Sequence, residues 1–183
     1  MSLIVETGAC VPNANSFATL AEADAYFADF GGAWAGDDAS KESALLRASA
    51  WLSTYPNWDG RLKCGRGNQG LAWPRNGVVD CEGETVPDNE VPAEVKIATY
   101  AAALVELTAA GSLTPGVTPG QQVKSEKVDV IEVQYMTPKD QGVIDGRSNT
   151  VASLRPMLTQ VQDVLRCMAS FPSGSKTPWP FVA

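Results

Sequence analysis

Not one histidine occurs among the 183 residues. Histidine is the usual general base, the partner of most serine and cysteine nucleophiles and the commonest metal ligand. Its absence excludes most hydrolase triads and most zinc or iron sites, and it shifts the expectation towards a protein that is not an enzyme and holds no cofactor. Basic residues are also scarce: 14 Lys and Arg stand against 21 Asp and Glu, a net charge of −7. Affinity for nucleic acid comes mainly from neutralising phosphates, so this balance argues against a broad nucleic-acid surface and leaves room only for a local one. No apolar run approaches the ~20 residues of a membrane span. The opening Met1-Ser2-Leu3-Ile4-Val5-Glu6 lacks the basic region and apolar core of a signal peptide. Nothing basic precedes Gly8-Ala9-Cys10, so lipoprotein processing is not expected. Cys10, Cys64, Cys81 and Cys167 are scattered with no C-x-x-C pair, which reads as reduced, mostly buried thiols of a cytosolic protein.

The residues that are present describe one globular domain, with 44% apolar and 19% charged residues. Residues 2–5 suit a small edge strand. Thr19-Leu20-Ala21-Glu22 is a capping box ahead of an apolar face of Tyr26, Phe27 and Phe30, closed by Gly31-Gly32. A second helix is predicted from Ser40, where Ala44, Leu45, Ala48, Trp51, Leu52 and Tyr55 follow helical spacing up to Pro56. Residues 57–90 carry too much glycine and proline for a long helix, but Trp58, Leu62, Leu71, Trp73, Val78 and Val79 predict an ordered loop pinned to the core. Pro92 opens a helix over 95–110 that is apolar nearly all round, central or in a subunit interface.

Residues 123–136 alternate like a strand, and a phase slip at Val130/Ile131 suggests a β-bulge. In the last helix Val151, Leu154, Leu158, Val161, Leu165 and Met168 step by three and four, a heptad-like seam suited to a subunit interface. Pro156 either starts that helix near Arg155 or kinks it. The expected fold is mainly α, with about four helices, a small β element (a hairpin or short sheet) around 123–136 and a long ordered irregular loop over 57–90. It forms one domain over 1–171, and the Ser/Gly/Pro-rich stretch 172–183 forms a flexible arm with a Trp179-Pro180-Phe181 anchor.

Gly65-Arg66-Gly67-Asn68-Gln69-Gly70 matches the dinucleotide fingerprint, which works only with a strand before it and a helix after it. Pro74 leaves no room for that helix, so no nucleotide site is expected. Acids cluster at Asp37-Asp38 and at Asp80, Glu82, Glu84, Asp88 and Glu90, without the spacing of a calcium loop; they read as solvated turns. One basic patch exists. Arg61, Lys63, Arg66 and Arg75 fall in fifteen residues without an acid, with Trp58 and Trp73 alongside, the combination that single-strand binders use for phosphates and bases. The competing reading makes the tryptophans core anchors and the charges contacts to a neighbouring subunit. Residues 1–40 and 76–95 each hold six acids and no base, and segregated charge suits head-to-tail packing of copies.

Several stretches together resemble a family of tailed-phage head–tail connector (adaptor, or head-completion) proteins. They are Ala14-Asn15-Ser16-Phe17-Ala18-Thr19-Leu20-Ala21-Glu22-Ala23-Asp24-Ala25-Tyr26-Phe27, Leu71-Ala72-Trp73-Pro74-Arg75, Val91-Pro92-Ala93-Glu94-Val95-Lys96 and Lys124-Ser125-Glu126-Lys127-Val128, the last followed by Ile131-Glu132-Val133 and Tyr135. Their order and spacing match over residues 2–165, and members often carry the label DnaT-like single-stranded-DNA-binding. The resemblance implies a mainly helical, non-enzymatic subunit without cofactors, made in the host cytoplasm and built into the virion neck. Its expected partners are copies of itself in a ring (usually twelve), the portal protein, and a tail-side adaptor, stopper or tail-terminator protein. Genomic double-stranded DNA would pass through the ring without sequence-specific contact. The alternative is a single-stranded-DNA-binding protein acting through Trp58, Arg61, Lys63, Arg66, Trp73 and Arg75.

Overall fold

The computed structural model describes residues 2–114, 125–128, 131–134 and 158–171. The expected arm over 172–183, and Val151, Leu154 and Pro156, lie outside them. The elements are α1 (Leu20–Phe30), α2 (Asp38–Thr54), β1 (Asn57–Trp58), β2 (Arg61–Leu62), β3 (Arg75–Asn76), α3 (Ala93–Thr108), β4 (Ser125–Val128), β5 (Ile131–Gln134), α4 (Thr159–Leu165) and β6 (Ala169–Ser170). The fold is mainly helical. Its strands form three antiparallel pairs, β1–β6, β2–β3 and β4–β5.

Helix α1 starts as the capping box requires. Thr19 Oγ1 accepts from the Glu22 amide at 3.1 Å, and the Glu22 carboxylate accepts from the Thr19 amide at 2.7 Å. Gly31, at φ 74°, ends the helix in a conformation open to glycine. The expected apolar face is only partly right. Phe27 is buried and Tyr26 half-buried, whereas Phe30 is 77% exposed and stacks only on Tyr26, at 4.7 Å. The core-facing stripe runs through Ala23 and Phe27, and Phe30, in the last turn, has rotated off it.

Helix α2 begins at Asp38, two residues before Ser40, and buries the predicted Ala44, Leu45, Ala48, Trp51 and Leu52. Helix α3 is the centre of the molecule. It packs on both α2 and α4, and no residue from Val95 to Leu107 is fully exposed. Its one buried charge, Glu106, accepts from Arg47 Nε at 2.7 Å and from the amides of Gly111 and Leu113 at 2.8 and 2.9 Å. Burial alone would push this carboxyl's pKa up. The two amides and the guanidinium outweigh that, and the net shift is downward.

Three expectations need correction here. The described part of the seam assigned to a subunit interface packs in the chain's own core: Val161 and Leu165 are fully buried, Met168 is 4% exposed, and half-buried Leu158 packs against the same cluster. Periodicity marks a face that something covers, and here the covering surface belongs to the chain's own fold. The β-bulge suggested at Val130/Ile131 gives way to the hairpin form expected of this element, because Val128 pairs with Ile131 and β4 and β5 run antiparallel. The cysteines are not thiols: Cys10 is bonded to Cys64 and Cys81 to Cys167, across Cα separations of 6.3 and 5.1 Å. Residues 2–5 contribute a single bridge, Val5 to Ser16, and no longer strand.

Candidate functional site

The basic loop runs through β2 and β3 and is ordered because polar side chains, in place of a regular ladder, satisfy its backbone. Gln69 is buried at 6% exposure. Its Nε2 donates to the carbonyls of Leu71 and Pro74 at 3.0 and 2.9 Å, and its Oε1 accepts from the Cys64 amide at 3.3 Å. Arg75 donates to three carbonyls: Asp59 at 2.6 Å, Gly60 at 3.0 Å and Ala72 at 3.2 Å. Burial draws the Arg75 pKa down, the charge of Asp59 opposes this, and Arg66 adds to it. Lys63 donates to the Asp88 carbonyl at 2.9 Å and pairs with its carboxylate at 3.3 Å.

The tryptophans are anchors of the loop. Trp73 is fully buried, and Trp58 meets it edge-on at 5.8 Å while donating its Nε1 proton to the Leu52 carbonyl at 2.8 Å. Stacking a base needs an open ring face, which Trp73 does not offer. Of the six residues proposed from sequence, only Arg61 and Arg66 are exposed with no side-chain hydrogen bond or ion pair among the described residues. The glycine motif forms a turn, with the Asn68 amide donating to the Gly65 carbonyl, and no helix follows before α3. It has no pyrophosphate cradle.

The acids are organised differently. Asp80 accepts from the amides of Glu82 and Glu84, both at 2.9 Å, so it shapes its own turn. A cleft of about 470 Å³ opens beside it, lined by Asp80, Glu82, Glu90, Glu94 and Asp163 with Arg166. Among the described residues, no group of three or more His, Cys, Asp or Glu could hold a metal ion.

A family model described as "Putative DnaT-like ssDNA binding protein" matches residues 1–178. The chain belongs to that family. No curated protein and no solved structure matches it. In this DnaT-like chain, the quoted motifs fall on framework positions. Phe17, Ala18 and Ala23 are fully buried, Thr19 and Glu22 form the cap of α1, Leu71 to Pro74 are buried, and Pro92 is the N-cap of α3. Sequence reasoning did not single out Gln69, Glu106 or the partners of Arg75. Composition gave no signal for them, because their acceptors and donors are backbone groups brought near by folding.

Proposed function

We propose that this DnaT-like chain is a structural subunit of a tailed-phage neck, a head–tail connector that assembles as a ring between the portal and the tail and encloses the DNA channel. The resemblance of its four motif stretches to connector proteins supports this reading. The observation that carries the choice is the state of the basic loop: Trp73 is buried, Arg75 is bound to three carbonyls and Lys63 is paired with Asp88. Those residues hold the loop together and are not presented to a strand. The two disulfides add support, since such bonds persist in oxidising surroundings such as a released particle and are rare in the cytosol where a replication protein works. Exposed acids in a channel would repel phosphate and let DNA slide.

A second reading, single-strand binding, is favoured by the description of the family itself. In this chain it would rest on Arg61 and Arg66. One experiment separates the two: titration into labelled single-stranded DNA at low and moderate salt, with mass determination on the same sample and on a mixture with purified portal. The connector reading expects no steeply salt-dependent binding, and a ring on the portal. Sub-micromolar binding that falls steeply with salt and vanishes in Arg61→Glu/Arg66→Glu overturns it in favour of the second reading.

A further inference from the structure

The hairpin between Val78 and Val86 is secured unevenly. Its base belongs to the core: the Val86 amide donates to the Val78 carbonyl at 3.0 Å, and Val78 is fully buried. Its tip, from Val79 to Thr85, is exposed at every residue and bonded only within its own turn. Among the described residues no hydrogen bond or ion pair joins that tip to another element. The Cys81–Cys167 bridge does.

That bridge spans the acidic cleft. Asp80, Cys81 and Glu82 stand on the hairpin wall, Asp163, Arg166 and Cys167 on the α4 wall, and Glu94 lies at the start of α3. Asp163 and Arg166 on the α4 wall offset one another, so the covalent tie, not charge, is what holds the hairpin tip across the cleft. The other bridge is built differently. Cys10 is 8% exposed while Cys64, like Cys167, is half-exposed, and the surroundings are held without the sulfurs: Glu6 accepts from the amides of Gly8 and Val11, both at 2.9 Å, and Gln69 holds the Cys64 amide. Cys81 is exposed and Cys167 half-exposed. Access to an attacking thiolate governs which bond exchanges first.

We propose that Cys81–Cys167 is a redox latch across the acidic cleft, opened by a small thiol such as glutathione while Cys10–Cys64 stays closed. One glutathione thiolate attacks a bridge sulfur, forms a mixed disulfide and releases a protein thiolate, which takes up a proton. A second glutathione thiolate attacks the mixed disulfide and leaves as oxidised glutathione, releasing the other protein thiol. The protein gains two electrons and two protons, and oxidised glutathione reverses both steps. Opening frees the 79–85 tip from α4 and lets the cleft widen. The latch does not depend on the function proposed above.

The test uses the full chain equilibrated at graded ratios of reduced to oxidised glutathione, followed by thiol alkylation, peptide mass mapping and hydrogen exchange. Cys81 and Cys167 are expected to label at ratios where Cys10 and Cys64 remain linked, with loss of exchange protection confined to 79–86 and 166–168. Cys81→Ser/Cys167→Ser should show that unprotected pattern in every buffer, and Cys10→Ser/Cys64→Ser should keep the redox response. The latch is overturned if Cys10–Cys64 opens first or together with the other bridge. It is overturned equally if exchange at 79–86 is the same in the linked and reduced forms.

Discussion

Trp51 on α2 and Trp73 in the irregular loop are both buried, at 3% and 0% exposure, yet different forces keep them there. Trp51 belongs to a helical face with Leu45, Ala48 and Leu52, and the α2–α3 pair satisfies its own backbone internally. Loop 57–90 has only two-residue strands. Its carbonyls are met by Gln69, Arg75 and Lys63, Trp58 donates to the α2 carbonyl of Leu52, and β1–β6 and the two disulfides tie the loop to the rest of the chain. The helical pair gains from apolar area, a diffuse effect shared among many residues. The loop depends on a few directional bonds from side chains to backbone, some local (Gln69 to Leu71, Arg75 to Ala72) and some far along the chain (Lys63 to Asp88, Arg75 to Asp59). A helix pair built the first way fails as a whole, and a loop built the second way can fail locally.

The largest effect should come from the helical pair. Leu52→Ala removes a fully buried side chain and is expected to cost about 2–5 kcal/mol, with fluorescence and circular dichroism losing signal together in urea. A loss confined to one probe would break the contrast. Next is Glu106→Gln, expected to cost about 1–3 kcal/mol because its amide cannot accept from Arg47, Gly111 and Leu113 together. Folded Glu106 gives up its proton more readily than the unfolded residue. The stability it supplies is therefore present above the ordinary glutamate pKa of about 4.3 and is lost as pH falls through the lower folded value. Acid unfolding curves of the Gln variant should be flatter in that range.

Arg75→Met tests the loop. A loss of about 1–2 kcal/mol is expected, read as faster hydrogen exchange or proteolysis over residues 57–77 while α2 and α3 keep their protection. A uniform loss across the molecule would show that the loop and the helices unfold as one unit. The smallest effect belongs to Arg61→Glu/Arg66→Glu, whose side chains are exposed. Urea midpoints should stay within about 0.5 kcal/mol of the parent, which makes the pair a clean probe of DNA affinity.

The helices were legible where local chemistry decides them. Thr19 to Glu22 announces α1, and the spacing of Ala44 to Leu52 identifies the buried face of α2. What covers a face was not legible, so the stripe Leu158, Val161, Leu165 and Met168 was assigned to a neighbour and proved to be core. Cysteine pairing across 54 and 86 residues leaves no local mark, and four cysteines allow three connectivities. The candidate site was legible as composition only. The cations were found, but Arg75's acceptors at residues 59, 60 and 72 come to it only through the folded path of the loop.

The two disulfides also decide how the chain would carry mechanical load. They close two covalent rings that follow one another without interlocking, 10–64 around α1 and α2, and 81–167 around α3 and α4. Tension applied at the two ends bypasses every helix among the described residues. It runs through the outer tails and the link from Cys64 to Cys81, which reaches about 60 Å at full stretch. Pulled from its ends, the oxidised chain behaves as two inextensible beads on a short tether, and reduction of the exposed bridge lets the second bead unwind while the first stays closed.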